Sequence, residues 1–291
     1  MVKPNQNVIT KEHVANLPCH TKIPVAKTAS SITKCQCDPR LIKIFTKLVR
    51  ITNMNHKSSA KISYKVLKKL ASDDYMASVL GPLIQDSTTS APLPPLTSPS
   101  NITVFLDLDE TLIHSVRASG LGPPPRNYNF VVGGEGDVRY VLKRPFVDEF
   151  LWFLSQSGFE IVLFTAGSEE YASMVLDVLD PDGLISHRLY RNSCKKFSRS
   201  FVKDLWNLGR DLTKVVIVDD KPYSYILQPE NAIPIIPFTD DLGDDELKKL
   251  MSGFFTRCHE FEDLRDAVKH YVGNGVAYSN CIEKLSEDMW G

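Results

Sequence analysis

Hydrophobic and polar positions follow one pattern before residue 100 and another after it. Residues 1–40 are polar, rich in Thr, Ser and Lys, and show no period, which reads as a disordered arm. Residues 41–51 and 62–71 carry apolar positions at helical spacing among lysines, which predicts two short basic amphipathic helices. Residues 86–100 are dense in Pro, Ser and Thr and predict an extended linker, so a domain boundary is expected near 100. Beyond it, short apolar runs alternate with amphipathic stretches. The runs 102–107, 160–165, 215–219 and 233–236 predict strands, the first three continuous enough to be buried on both faces. Helices are predicted at 146–156, 169–179, 201–208, 244–252 and 262–272, with Pro145 opening the first and Ser168 capping the second. Residues 127–142 read as an inserted β-hairpin about Gly133-Gly134-Glu135-Gly136. This alternation predicts a doubly wound α/β domain with a mainly parallel sheet over 101–275, followed by a tail at 276–291.

Charge sharpens the division. Residues 1–100 hold 14 Lys and Arg against 5 Asp and Glu, leaving 20 against 30 in the remainder, so a basic arm precedes an acidic body. The arm is expected to be solvated, or to dock on an acidic partner, on nucleic acid or on the chain's own acidic body. No apolar run approaches the ~20 residues of a membrane span. No apolar stretch of a secretion signal follows Lys3. Six cysteines lie scattered, and Cys19-His20 and Cys35-Gln36-Cys37 fit no common zinc spacing, so reduced thiols are expected.

Three predicted strands end in residues of catalytic type. The first delivers Asp107 and Asp109, with Thr111 close behind; the second delivers Thr165; the third delivers Asp219 and Asp220. A doubly wound sheet gathers such ends in one crevice. Four carboxylates there repel one another unless a cation intervenes, and Mg²⁺ suits oxygen ligands that must also reach a phosphate. Asp is ionised at neutral pH, so Asp107 can attack phosphorus without a base, and Asp109 can move the proton that an alkoxide leaving group requires. Thr165 can donate to a phosphate oxygen at a helix start, and Lys203 is the best candidate for a fixed cation. The spacing leaves no room for a large cap. Only 15 residues separate Lys203 from Asp219 and roughly 30 separate Thr111 from Pro145, so the site is expected to be open to a macromolecule. Phe130, Val132 and Tyr140 of the hairpin are candidates to line an apolar groove beside it.

Asp107-Leu-Asp-Glu-Thr-Leu112 resembles the nucleophile motif of the haloacid dehalogenase (HAD) superfamily. Residues 105–115, 141–151, 162–166, 188–194, 201–205 and 231–234 together resemble the small phosphatases that act on the C-terminal domain of RNA polymerase II. The resemblance implies a HAD-like fold and Mg²⁺-dependent dephosphorylation of protein phosphoserine or phosphothreonine through an aspartyl-phosphate. It makes Asp107 nucleophile and metal ligand. Asp109 becomes the acid/base, holding the metal by its backbone carbonyl. Asp220 becomes a metal ligand, Thr165, Lys203 and Arg191 bind the substrate, and Thr111 and Asp219 give support. It also implies a nuclear monomer that binds a phosphoprotein and no nucleic acid directly. The family typically shows Asp-Asn where this chain has Asp219-Asp220, and Lys221 is placed to offset the added charge. Two other expectations stand beside this one: an inactive protein of the same fold that binds phosphoproteins, and a phosphatase of a small ester.

Overall fold

The computed structural model describes residues 91–118, 123–134, 137–197 and 200–273. The basic arm, its segments 41–51 and 62–71 and the 276–291 tail lie outside the described residues. The elements are β1 (Thr103–Leu106), β2 (Ile113–Arg117), β3 (Phe130–Val132), β4 (Arg139–Lys143), α1 (Val147–Gln156), β5 (Glu160–Phe164), α2 (Glu169–Leu179), β6 (His187–Leu189), β7 (Lys195–Phe197), β8 (Ser200–Val202), β9 (Val215–Asp219), β10 (Ala232–Pro234), α3 (Glu246–Leu250) and α4 (Leu264–Gly273).

Five strands form one parallel sheet in the order β10-β9-β1-β5-β6. β1, β5 and β9 are buried along their whole length, as continuous apolar runs demand. Their side chains alternate between two cores. Val104, Leu106, Ile161, Leu163, Val216 and Val218 face a cluster completed by α1, α2, α3 and α4. Phe105, Val162, Phe164, Val215 and Ile217 face a second, smaller cluster. The chain steps from β1 to β5 and β6 in one direction, then returns to β9 and β10 on the other side of β1. The strand order therefore reverses between β1 and β9, and a crevice opens beyond their carboxyl ends.

The helix expected at 201–208 does not form. Residues 200–202 are strand β8, paired with β7, and 203–209 run irregularly across the second core. Phe201 and Val202 are β-prone, and the backbone that follows is bonded elsewhere. Lys203 N–H donates to Ser224 O, Leu205 N–H to Gln228 Oε1 and Trp206 N–H to Asp204 Oδ1. Gly209, at φ 71°, completes the turn. The hairpin at 127–142 is likewise part of something larger. β2 joins it as a third strand, in the order β2-β4-β3. The helix expected at 244–252 runs as α3 and then widens into a π-turn at Met251–Phe255.

Residues 91–98 form neither helix nor strand, 99–100 make a turn, and the segment is bonded to the domain. Leu93 N–H donates to Leu208 O, Ser100 Oγ to Gly158 O and Arg210 Nη2 to Pro94 O. The same Arg210 holds Glu160 through two bonds of 2.7 and 2.6 Å, and Thr103 Oγ1 donates a third at 2.6 Å. Burial disfavours the Glu160 charge, but these donors outweigh it and keep the carboxyl below its ordinary 4.5. A depressed acid stabilises the fold fully above its unfolded value and loses that contribution as pH falls through the folded value. Glu160→Gln is thus expected to cost about 3 kcal/mol at pH 7 by leaving Arg210 buried without its partner. The difference from the unsubstituted chain should shrink as pH drops below 4.5. Urea unfolding at several pH values measures it, and a pH-independent difference would contradict the assignment.

Candidate active site

The site starts where β1 stops. Asp107 N–H still donates to Val218 O in β9, and Asp107 is buried. The chain then turns sharply, with Glu110 at φ 63° and Leu112 and Ile113 N–H both closing on Leu108 O. That turn brings Thr111 back, and its Oγ1 donates to Asp107 Oδ2 at 3.2 Å. β5 ends in Thr165, whose Oγ1 accepts from Gly167 N–H at 2.9 Å. Its own proton therefore remains available to another acceptor. A Cβ on Gly167 would sit 3.2 Å from Thr165 Oγ1 and 3.6 Å from Asp109 Oδ2, so glycine keeps this wall of the cleft low. Ser168 occupies the position before α2 but makes no capping bond with its side chain; it faces the same cleft.

The decisive contact is Lys203. Its Nζ donates to Asp107 Oδ1 and to Asp219 Oδ2, each at 2.6 Å, with the side chain 1% exposed. Burial alone would discharge the ammonium, but Asp107 and Asp219 outweigh it and hold its pKa above the ordinary value. Asp219 also accepts from Lys221 N–H at 2.8 Å. Asp220 turns into the same cluster. Burial first, then the charges of Asp107 and Asp219, push its carboxyl well above the usual carboxylate range. Lys221 Nζ lies 3.3 Å from Asp220 and 3.0 Å from Glu110, as expected of a compensating charge.

Oxygens of Asp107, Asp219 and Asp220 lie within 4.8 Å of one another. Three carboxylates converging beside the buried ammonium of Lys203, with burial pushing both Asp219 and Asp220 above the usual carboxylate range, suit a hard divalent cation such as Mg²⁺. The carboxylate of Asp109 is not in this set. Its Oδ1 accepts from Tyr171 Oη at 2.6 Å, and Ser115 Oγ lies between 2.7 Å from Tyr171 and 3.5 Å from Asp109. Burial pushes the Asp109 carboxyl up to about 6, with Asp107 and Glu110 adding to it against the Tyr171 bond.

Asp107, Asp109 and Thr165 line one open cleft of about 440 Å³, which Arg191 also reaches. Arg191 Nε donates to Ala166 O at 2.7 Å, and its guanidinium lies 5.1 Å from the Phe201 ring. Among the described residues no helical cap covers the cleft. The groove expected from Phe130, Val132 and Tyr140 is not there. Phe130 and Val132 pack into the main core against α2, and Tyr140 lies on the opposite face of the hairpin, ring to ring with Tyr128 at 5.0 Å. Antiparallel register puts Val132 opposite Arg139, and it is Arg139 that reaches the cleft. Tyr171, Ser115 and Arg139 escaped the sequence reading. Tyr171 was legible only as one of the apolar stripe of α2, and a cleft-facing Arg on a short strand leaves no periodic signal.

A model of the NLI interacting factor-like phosphatase family matches residues 102–265. The chain belongs to this family. Its match covers β1 through the start of α4, and so every cleft residue named above. Among curated relatives, a probable C-terminal domain small phosphatase of Dictyostelium discoideum is 48% identical over 153 residues, 51% of this chain and 48% of that protein. The human carboxy-terminal domain RNA polymerase II polypeptide A small phosphatase 2 is 45% identical over 178 residues, 60% of this chain and 61% of that protein. This chain thus spans about half to three-fifths of the length of these relatives. A solved structure of Fcp1, an RNA polymerase II CTD phosphatase, aligns with a TM-score of 0.40 at 20% identity, over 66% of this chain and 54% of that one. No helix among the described residues is long and apolar enough to cross a membrane.

Proposed function

We propose that this chain is a Mg²⁺-dependent protein phosphoserine/phosphothreonine phosphatase that works through an aspartyl-phosphate on Asp107, with a nuclear phosphoprotein of the polymerase-tail type as substrate. The observation that carries the proposal is the buried ammonium of Lys203 bridging Asp107 and Asp219 at the switch point of the sheet, with Asp220 beside them and the cleft uncapped.

In this reading the carboxylate of Asp107 attacks phosphorus while the bond to the seryl oxygen breaks. Thr111 and Lys203 hold that carboxylate by its two oxygens, which fixes the direction of attack. Asp109 gives its proton to the departing alkoxide. Its pKa near 6 keeps a protonated fraction near neutral pH, and Tyr171 and Ser115 hold the carboxyl in place. The same group then takes a proton from water that attacks the aspartyl-phosphate, which releases phosphate and restores Asp107. Thr165 and Arg191 offer the phosphate donors from the far wall of the cleft. Asp107 and Asp220 would hold Mg²⁺, with the backbone of Asp109 as the resemblance implies. The ion supplies charge that offsets the repulsion between the phosphate and this acidic cluster. Asp220 is read here as a workable ligand in place of the family's usual Asn, its added charge offset by Lys221.

An open cleft suits a peptide better than a metabolite, which a cap would normally enclose. The purified full chain should hydrolyse an aryl phosphate and phosphoserine peptides in Mg²⁺. Excess chelator is expected to reduce turnover at least about 100-fold, and restored Mg²⁺ to recover it. Turnover that persists in chelator would defeat the metal assignment. Phosphopeptide binding without any turnover would point instead to an inactive binding protein.

A further inference from the structure

The catalytic cluster accounts for one part of the cleft but leaves the margin by the hairpin unexplained. There the lining is Arg139, Ser115, Ser168 and Tyr171, with no aliphatic side chain among them. Arg139 is the odd member. It stands on the hairpin face that packs against α2, opposite buried Val132, where an apolar residue would be the ordinary choice. Its guanidinium lies 4.5 Å from the Tyr171 ring centre, and that same tyrosine bonds Asp109. Its Nε is buried and makes no hydrogen bond. That Nε faces Asp137 Oδ1 at 3.5 Å, a half-exposed carboxylate oxygen already bonded to Arg117 Nε at 2.8 Å. Two guanidiniums therefore share one carboxylate, which leaves this margin positive beside an otherwise acidic site.

We propose that Arg139 forms a specificity subsite for an anionic group that neighbours the phosphorylated residue, so that the preferred substrate is a phosphoserine or phosphothreonine flanked by a carboxylate or by a second phosphate. This deepens the phosphatase reading and rests on it. The Tyr171 ring lies against the guanidinium, and Arg139 lines the cleft, so the terminal N–H groups of the guanidinium, rather than its buried Nε, are the ones offered to the incoming anion. An apolar or proline neighbour would find no complementary surface there and would bury the arginine against nothing. The attraction also has a general use. A peptide with extra negative charge is repelled by Asp107, Asp109, Glu110, Asp219 and Asp220, and only a fixed local cation makes it the better ligand.

The test compares fluorescein-labelled phosphoserine peptides with neutral, glutamate or second-phosphoserine neighbours on either side, using the full chain. Binding and turnover are both measured. In the unsubstituted protein, acidic flanks should improve affinity by about tenfold over neutral ones at low salt. Arg139→Gln should bring that ratio close to one, and Arg139→Lys should keep part of it. A ratio of preferences is insensitive to a partial loss of folded protein. The glutamate and phosphoserine arms show which anion the subsite takes. Equal affinity for all peptides, or an acidic preference that survives Arg139→Gln, overturns the subsite. Failure to hydrolyse aryl phosphate in Mg²⁺ overturns the phosphatase reading instead, and the binding ratio still reports on Arg139.

Discussion

Asp107→Asn is expected to reduce hydrolysis of both aryl phosphate and phosphopeptide by at least about 10³-fold, because an amide cannot form the covalent intermediate. The substitution is nearly isosteric. It removes one of three carboxylates whose oxygens lie within 4.8 Å, and Lys203 keeps Asp219 as its partner. Its fold should therefore stay intact, with a melting temperature equal to or above that of the unsubstituted chain. Low activity with an unchanged melting curve locates the defect in chemistry. Mass spectrometry after acid quench should find a phosphate adduct on the active chain and none on the variant. Turnover by Asp107→Asn at the unsubstituted rate would end the nucleophile assignment.

Lys203→Met is expected to cost both stability and activity. The methionine fills most of the space left by the lysine stem, so cavity formation is a minor part of the loss. The larger part is electrostatic. Asp107 and Asp219 each lose a 2.6 Å bond to the ammonium, and both are buried. Breaking a buried pair from one side typically costs about 3–5 kcal/mol, because the remaining charge is stranded. Adding Asp219→Asn to Lys203→Met removes one stranded carboxylate and should restore roughly half of that loss. Activity should not return, since the fixed cation is still missing. Urea unfolding of the two variants decides this. A double variant no more stable than Lys203→Met would mean that Asp219 is not held by Lys203, contrary to the geometry.

The three central strands of the sheet were legible because β1, β5 and β9 are buried on both faces and so had to be continuous apolar runs, whereas the short, half-buried edge strand β6 was missed. The stretch 201–208 misled because a short amphipathic run does not say what its backbone will bond to. Its N–H groups find Ser224, Gln228 and Asp204, partners near or far in sequence that only the folded chain assembles. β2 was missed for a related reason. It is short, it follows the sharp turn at Glu110 directly, and it becomes a strand only by pairing with β4.

The sequence by itself determined the fold class and the chemistry on offer. Asp107, Asp109, Thr165, Asp219 and Asp220 follow strands, and the alternation of elements forces strand ends into one crevice. Only the tertiary structure divided the labour among those residues. Three carboxylates converge while Asp109 turns away to Tyr171, because the sharp turn at Glu110 rotates the second aspartate off the axis of β1. Lys203, at the start of the irregular segment that follows β8, could be placed only by the bonds that segment makes to Ser224 and Gln228. The margin of the cleft was likewise decided by pairing. Register between β3 and β4 sends Arg139 toward the site and Tyr140 away from it, and a strand's own sequence cannot say which of its two faces will be the inner one.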